Sequence, residues 1–307
     1  MANAALAKAN LHALRQVVAA IEEGRQHTGK LEETSPRDEA AGRLALGVEA
    51  FDSRLEGGLP VSGLCELRAA LTMDAGAATG FALALSSLVQ ERLRPARPIL
   101  WISEREAGRE AGLAHAAGLV SFGISPSSLI TAHPRRIEEA LWVAESALQT
   151  EAFSAVVLEV RGNPAKFGLT ESRRLHLKAR EARLPLLLLR QAGEEEASSA
   201  QLRFLVEAAP AGLRRIGRYS APGTIGHPTF RITVEKSRNP APFAFVMEWN
   251  ADDRQFYPTG HRSLSDAVHA SGAAHPHRSP AAPADGPDRA DQMGRILAFN
   301  GAFSRAS

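Results

Sequence analysis

The middle of the chain alternates short apolar runs with longer amphipathic stretches. Apolar runs predict strands at 64–67, 99–102, 155–160, 186–189 and 202–206, and 129–131 is a further brief apolar run. Helical composition or periodicity predicts helices at 81–93, 105–119, 135–150 and 170–183. Strands that alternate with helices indicate an α/β fold, in which a mostly parallel sheet is covered by helices on both faces.

Several finer features of these elements are also predicted. Gly118 is expected to break the helix 105–119, and Thr170 is expected to cap the helix that follows it. The runs 230–234 and 243–249 alternate in polarity and predict an antiparallel hairpin at the edge of the sheet. Three tryptophans lie in apolar contexts and are expected in the core: Trp101, Trp142 and Trp249.

Composition divides the chain into a central domain and flanking segments. Residues 1–24 are rich in Ala and Leu and predict a helix, whereas 25–43 are polar and predict a linker. The domain proper covers 44–258. Residues 259–291 are rich in Pro, Ala, Gly and His, and we expect a disordered linker there. Residues 292–307 form a C-terminal segment that is partly apolar.

Both flanking segments carry apolar side chains that a partner could bind. In the N-terminal helix these recur at helical spacing as Leu14, Val18 and Ile21. This stripe fits a partner-docking or self-assembly arm, although a surface helix packed on its own domain is favoured. The C-terminal segment carries Ile296, Leu297, Phe299 and Phe303. These residues fit a short linear binding motif or a terminal helix that folds back on the domain, and both interpretations stay open.

The overall composition excludes several classes of protein. The net charge of +2 over 307 residues indicates no polyanionic partner, and the 44% hydrophobic content is enough for a sizeable core. The single cysteine, Cys65, excludes an internal disulfide and a cysteine metal cluster, as expected in a reducing cytosol. No secretion signal is recognisable, and no run approaches the roughly 18 apolar residues of a membrane span. We therefore expect a soluble cytoplasmic protein without a membrane contact. The histidines of the linker lack metal-ligand spacing, so no metal site is predicted.

The stretch 57–85 has the layout of a nucleotide-phosphate cradle. A turn and a short strand precede a small-residue loop, and a helix-like run starts at Phe81. In such cradles the N–H groups of the loop and the positive end of the helix dipole receive phosphates, a Lys meets the terminal phosphates, and a hydroxyl holds magnesium. Here the corresponding residues are Gly76, Thr79, Gly80, Phe81 and Ala82. The Lys and the closing hydroxyl are missing and Gly76 lies one place too near, so we expect a degenerate cradle and no catalytic residue.

Six pieces of sequence, taken in order, resemble a known family. They are GGLPVSGLCEL, DAGAATGFALAL, ILWISEREA, SAVVLEVRG, LLLLRQ and VEKSRNPAPF. Their order is similar to that of the RecA-type ATPase core, and more closely to the ImuA family of RecA-like accessory proteins in bacterial damage-induced mutagenesis. The resemblance covers about 44–257 and implies a RecA-like, P-loop-type core. Similarity to SulA, a RecA-like inhibitor of cell division, is weaker.

The resemblance assigns roles to a few residues of the site. The catalytic glutamate of the recombinases corresponds to Arg105, which Glu104 and Glu106 flank. The metal-side aspartate corresponds to Glu159, and the phosphate-sensing glutamine corresponds to Gln191. The short loop 192–201, which follows the glutamine, carries three glutamates that would repel a phosphate backbone. With these changes the resemblance implies that ATP turnover is lost and that no cofactor is required. Glu159 could also merely cap a strand or pair with Arg161.

Positive charge is concentrated in the second half of the domain. Residues 161–218 contain twelve basic and six acidic side chains, against a net charge of +2 for the whole chain. The basic residues expected to face single-stranded DNA are Arg161, Lys166, Arg173, Arg174, Lys178 and Arg180. Few aromatic residues are available for base stacking, and a solvated or protein-docking face is favoured over DNA binding.

The function that follows is an expectation based on the resemblance. It implies a non-catalytic RecA-like adaptor in an error-prone translesion synthesis complex of the SOS response. The implied partners are an ImuB-like polymerase-family protein and an error-prone DNA polymerase, with RecA, a second copy of the chain and single-stranded DNA left open. The adaptor would associate with the nucleoid on damage. Two alternatives are a divergent RecA-type, DNA-dependent ATPase and a SulA-like division inhibitor.

Overall fold

The computed structural model describes residues 42–93, 97–150, 152–216, 219–220, 224–238 and 242–259. Several predictions lie outside these residues. They are the N-terminal helix with Leu14, Val18 and Ile21, nearly all of the linkers 25–43 and 259–291, and the C-terminal segment with Ile296, Leu297, Phe299 and Phe303.

The described chain is an alternation of strands and helices. The strands are β1 (Arg43–Leu44), β2 (Leu59–Pro60), β3 (Gly63–Ala69), β4 (Ile99–Ser103), β5 (Leu129–Ala132), β6 (Ala155–Arg161), β7 (Pro185–Gln191), β8 (Leu202–Ala208), β9 (Arg215–Ile216), β10 (Tyr219–Ser220), β11 (Thr229–Lys236), β12 (Phe243–Asn250) and β13 (Gln255–Pro258). The helices are α1 (Glu49–Asp52), α2 (Ala75–Leu93), α3 (Arg105–Ala111), α4 (Ala116–Ser121), α5 (Ile137–Leu148) and α6 (Leu169–Glu181).

A nine-stranded sheet runs through the domain in the order β13-β12-β11-β8-β3-β7-β6-β4-β5. The strands from β8 to β5 in this order are parallel to their neighbours. The last three strands in the chain, β11, β12 and β13, pair antiparallel. The predicted α/β fold with a mostly parallel sheet is thus confirmed. The predicted hairpin is also present as β11 and β12, but its position at the edge is wrong because β13 lies outside it.

Both faces of the inner strands β3, β4, β6 and β7 are buried, which explains their continuous apolar runs, whereas the edge strand β5 is partly exposed. Side chains such as Leu67 and Val157 face α2 on one side of the sheet. Other side chains of the same sheet, such as Val156 and Leu186, face α5 and α6 on the other side. Because side chains alternate between the two faces of a strand, each buried strand supplies both cores.

Two predictions about helix ends and one about the core are wrong. The helical stretch 105–119 breaks at Gly112, which has a φ of 82°, and Gly118 lies inside α4. The N-cap of α6 is Gly168, so Thr170 is not the cap. The Gly168 N–H donates a 3.0 Å hydrogen bond to the Glu171 carboxylate. Trp142 is 70% exposed on α5, whereas Trp101 and Trp249 are in the core as predicted.

Among the described residues, one helical stretch, Thr72–Leu93, is long and apolar enough to cross a membrane. Its most apolar part is 67% buried inside the fold. It is therefore a core helix that packs on the sheet, which is compatible with a cytoplasmic α/β protein.

Candidate functional site at the carboxyl edge of the sheet

Polar side chains gather where β4, β6 and β7 end. After β4 the chain crosses to β5, and after β6 it crosses to β7 on the other side. In open α/β sheets, ligands bind where such connections diverge, outside the carboxyl ends of the strands. Ser103 and Glu159 are register partners at this point. Topology alone therefore marks this edge as the candidate site.

The Glu159 carboxylate lies at the centre of this edge. Glu159 is only 3% exposed, and its Oε2 accepts a 2.9 Å hydrogen bond from Trp101 Nε1. Its Oε1 accepts a 3.0 Å hydrogen bond from Gln191 Nε2, and the same amide donates to Thr79 Oγ1 at 3.0 Å. This Glu159 network of Trp101, Glu159, Gln191 and Thr79 links three strands to α2. It brings together three of the residues that the sequence proposed for nucleotide handling.

Two buried polar atoms of this edge have no hydrogen-bond partner among the described residues. They are Gln191 Oε1 and Ser103 Oγ, and each residue is 2% exposed. Buried polar groups are nearly always hydrogen-bonded, so these two atoms mark a place that could take a further polar group. In the described part of the chain, no group of three His, Cys, Asp or Glu side chains is placed to hold a metal ion.

The expected phosphate loop is instead a helix. A 3₁₀ turn, Thr72–Asp74, leads directly into α2 at Ala75, so Gly76 and Gly80 are helical residues. The prediction that the helix starts only at Phe81 is therefore wrong. A Cβ on Gly80 would lie 2.8 Å from Phe122 Cζ, whereas a Cβ on Gly76 would meet nothing within 4 Å. Close packing against Phe122 thus accounts for the glycine at position 80.

The two residues at the Lys and Ser/Thr positions of the motif are core residues. Phe81 and Ala82 are both 0% exposed. The Phe81 ring lies 5.4 to 6.0 Å, between centroids, from the rings of three other buried phenylalanines, Phe204, Phe230 and Phe256. Aromatic pairs at these distances pack favourably, so position 81 serves the hydrophobic core.

The resemblance assigns the position of the catalytic glutamate to Arg105, and the structure places this stretch at the start of α3. Arg105 and Glu106 are exposed in the first turn of α3. Glu104 is 7% exposed, and its carboxylate accepts a 3.1 Å hydrogen bond from Glu106 N–H. Glu104 N–H donates to the Glu159 carbonyl at 2.9 Å. The carboxylate nearest to Glu159 along this loop therefore caps a helix.

A buried charged cluster supports the loop after Gln191. Glu66 is fully buried, and its carboxylate accepts hydrogen bonds from Arg190 Nε at 2.8 Å, Ser198 Oγ at 2.6 Å and Arg203 Nε at 3.2 Å. Arg190 and Arg203 are 1% and 4% exposed. These two arginines contributed to the basic count of 161–218, but they are buried and paired with Glu66, so they add no positive charge to the surface.

Two of the three glutamates of the same loop have a side-chain partner for their carboxylate among the described residues. Glu195 pairs with Arg203 at 3.2 Å, and the Glu196 carboxylate accepts a 2.9 Å hydrogen bond from Asn163 Nδ2. Asn163 Oδ1 also accepts a 2.8 Å hydrogen bond from Glu194 N–H. The loop is thus tied to the sheet by internal partners.

The predicted DNA-binding face is less positive than its sequence indicated. Lys166 pairs with Glu138, and Arg174 and Lys178 both contact Glu145, at 2.5 and 3.1 Å. Arg161 contacts Glu110 at 3.2 Å. Arg173 and Arg180 are also exposed on α6. The acids that pair with this face lie on α3 and α5, outside 161–218, and the sequence count did not include them.

An aromatic side chain that the sequence placed in the core lies beside this face. Trp142 lines an open groove of about 450 Å³ together with Lys166 and Arg174. The apolar periodicity of α5 did not reveal that Trp142 is exposed. Neighbouring positions such as Leu141 are buried, and an apolar residue gives the same signal whether it is buried or exposed.

The sequence matches no model of a protein family, and it matches none of the curated proteins.

Proposed function

We propose that this chain is a non-catalytic, RecA-like adaptor of an error-prone translesion synthesis complex. One observation carries the proposal: the side chains at the Lys and Ser/Thr positions, Phe81 and Ala82, are fully buried. A phosphate-gripping ammonium must reach solvent at the end of the sheet, and neither position allows this. Without that group the core is expected to act through its surfaces.

The Glu159 network supports the loss of turnover. A carboxylate that assists magnesium or water must direct an oxygen lone pair at it. Each oxygen of Glu159 already uses one lone pair to accept a hydrogen bond, from Trp101 or from Gln191, which leaves fewer lone pairs for such a role. In a working switch the glutamine would respond to the terminal phosphate, whereas here its amide is engaged by Thr79 and Glu159.

The partners follow from the sequence resemblance. We propose that the adaptor joins an ImuB-like protein and an error-prone polymerase to damaged DNA or to a recombinase filament, in the cytoplasm and at the nucleoid after damage. The exposed groove that contains Trp142 supports a docking role, because exposed tryptophans are enriched in protein interfaces.

A divergent ATPase is a second candidate, and one observation favours it. The unpartnered Gln191 Oε1 and Ser103 Oγ lie buried beside Glu159, where a bound polar ligand would satisfy them. Such a ligand would have to be held by the backbone and by these side chains alone.

Calorimetry with ATP and magnesium separates the two candidates. The adaptor is expected to give no binding heat and no hydrolysis. Micromolar affinity that is lost in Gln191→Ala would instead establish a nucleotide site, and magnesium-dependent hydrolysis would refute the non-catalytic proposal.

Co-purification tests the adaptor role itself. The full-length chain is expected to capture the ImuB-like protein, and deletion of 292–307 is expected to weaken that capture. If neither the full-length nor the shortened chain retains a polymerase-family partner, the adaptor proposal fails even if ATP is not bound.

A further inference from the structure

The exposed side of α5 carries a tryptophan that contributes little to the packing of the domain. Trp142 is 70% exposed, whereas Trp101 and Trp249 are 3% and 0% exposed. Its indole has no hydrogen bond, stacked ring or cation contact among the described residues. Tryptophan is one of the residue types that most often anchor protein interfaces, because it buries a large area with few rotatable bonds. Trp142 is therefore a candidate anchor for a partner.

Trp142 lies beside an open groove between α5 and α6, called here the Trp142 groove. Its lining includes Leu141 and Trp142 from α5 and Arg174 from α6, and Lys166 lies before the start of α6. The groove has a volume of about 450 Å³, which is the size of a small-ligand site and is enough for an aromatic side chain. The same surface thus presents an exposed indole and, next to it, a recess that could receive one.

An ion pair crosses this groove on each side of Trp142. Glu138 lies four residues before Trp142 and pairs with Lys166. Glu145 lies three residues after it, and its Oε1 contacts Arg174 Nε at 2.5 Å. Residues at these spacings share one face of a helix, so the two acids flank the indole along α5. In both pairs the acid comes from α5 and the base comes from the α6 side.

The two walls of the groove therefore differ in charge. Helix α5 contains three acidic and no basic side chains, whereas α6 contains four basic and two acidic ones. Lys178 of α6 adds a second contact to Glu145, at 3.1 Å. Glu171 is the acid that lines the α6 wall, and its carboxylate is engaged by the Gly168 N–H. A strongly acidic or strongly basic peptide would meet one wall of its own sign, so neither suits the groove.

This division of charge makes the surface complementary to itself. A two-fold axis that runs along the groove sets α5 of one copy over α6 of the other, and a self-complementary patch is what such symmetry requires. Glu138 and Glu145 then face the bases on the α6 side of the second copy, so each acid gains a second cation. An axis across the helices would instead set α5 on α5 and acid on acid. The occupant that fits both walls is a second copy of this chain.

We propose that this chain forms a two-fold dimer through α5 and α6, with each Trp142 in the groove of the second copy. The 12 residues of α5 and the 13 of α6 are about 18 to 20 Å long, and two adjacent helices are about 20 Å wide. Each copy thus contributes about 400 Å², and the total of about 800 Å² is below the roughly 1,200 Å² of stable interfaces. The dimer is therefore weak and reversible, with a Kd of about 10–100 µM. It uses the groove that supports docking in the proposed function, but it does not depend on the adaptor role.

Sedimentation velocity of the full-length protein, from about 1 to 200 µM, tests the dimer. The unaltered chain is expected to pass from monomer to dimer over this range. Trp142→Ala is expected to raise the Kd at least about tenfold, because it removes the anchor of the interface. The matched control is Val120→Ala, which truncates a 60% exposed apolar side chain on α4. Helix α4 packs through Leu119 into the core on the other side of the sheet, so this variant should leave the Kd unchanged within about twofold.

Charge reversal tests the pairing of α5 with α6 of the second copy. Glu145→Arg and Arg174→Glu each place like charges opposite one another in a homodimer, so each variant alone is expected to stay monomeric. In an equimolar mixture, the new arginine of one variant faces the new glutamate of the other. The two unaltered residues at the second contact also have opposite signs. The mixture is therefore expected to recover the dimer.

Acrylamide quenching of the tryptophan fluorescence adds a measurement on the unaltered chain. Trp142 is the exposed one of the three tryptophans, so quenching should decrease as the protein concentration rises through the Kd. Constant quenching would contradict the proposal even if a charge-reversal variant failed to fold.

Three further results would overturn the proposal. They are a chain that stays monomeric at about 200 µM, a dimer that Trp142→Ala leaves unchanged, and a mixture of the charge-reversal variants that associates no more than each alone. In the first case the groove would be left to a different protein. None of these measurements involves a polymerase-family partner, so failure of the dimer and failure of the adaptor role are separate results.

Discussion

The buried carboxylate of Glu66 allows a quantitative test of how the candidate site is supported. Glu66→Gln keeps the shape of the side chain but removes the charge that Arg190 and Arg203 share. Removal of one partner from a buried ion pair costs about 3–5 kcal/mol, because the remaining charge is left buried and unpaired. Arg203 keeps Glu195 and Arg190 keeps the Gly162 carbonyl, so the lower half of that range is expected.

Urea unfolding followed by tryptophan fluorescence measures this loss. A decrease of about 3 kcal/mol would be a large part of the 5–15 kcal/mol of a typical domain, and it would shift the midpoint by more than about 1 M urea. The control is Glu138→Gln, which removes an exposed pair with Lys166 and is expected to leave the midpoint unchanged.

A loss below about 1 kcal/mol in Glu66→Gln would refute the argument, since it would mean that the two arginines reach solvent or other acids at no cost. Replacement of Glu66, Arg190 and Arg203 together by Leu or Met is expected to restore most of the stability, because well-packed apolar groups often substitute for a buried ion network.

Two further predictions concern a glycine and a histidine. Gly80→Val is expected to destabilise the fold by about 1–3 kcal/mol, because the valine side chain would overlap the Phe122 ring. The control Gly76→Val should change the free energy of unfolding by less than about 0.5 kcal/mol. Equal effects of the two variants in thermal unfolding would contradict the packing role of Gly80. The pKa of His176 lies below its ordinary value of 6.5, mainly because the ring is partly buried and secondly because Arg180 and Lys236 are nearby. The neutral ring accepts a hydrogen bond from Leu64 N–H. The unfolded chain then binds more protons just below pH 6.5, so the unfolding free energy should fall as the pH drops through that region and stay constant above it. His176→Gln should flatten this part of the pH profile, and an unchanged profile would contradict the assignment.

Much of the fold could be predicted because its signals are local. Continuous apolar runs such as 155–160 and 186–189 require cover on both faces, which only helices on both sides of a parallel sheet provide. The antiparallel pair β11 and β12 was indicated by its alternation, but its place in the sheet was not, because nothing in 243–249 reveals that β13 continues the ladder.

The candidate site could be predicted only in part. Glu159 and Gln191 were found through the resemblance, and the structure brings them within hydrogen-bond distance of each other. The role of Trp101 was missed, although strand register contained a signal. Trp101 pairs with Val157, two residues before Glu159, so Trp101 and Glu159 lie on the same face of neighbouring strands.

Charge was the property that the sequence described least well. A count over 161–218 treats every arginine as available, but Arg190 and Arg203 are buried on Glu66. The acids that neutralise Lys166 and Arg174 come from α5, at least 28 residues away in the chain. Ion pairing is a matter of which surfaces meet, so it does not follow from the local composition.

The sequence by itself determined the layered α/β architecture and the absence of a phosphate-gripping Lys and hydroxyl, because periodicity and residue identity are properties of neighbouring positions. Only the tertiary structure decided that α2 begins at Ala75, that Trp142 faces solvent, and that Glu159 is held by a tryptophan 58 residues earlier in the chain. Each of these depends on contacts between segments that are distant in sequence, and a helix end, a buried face and a hydrogen-bond partner are fixed only when those segments pack together.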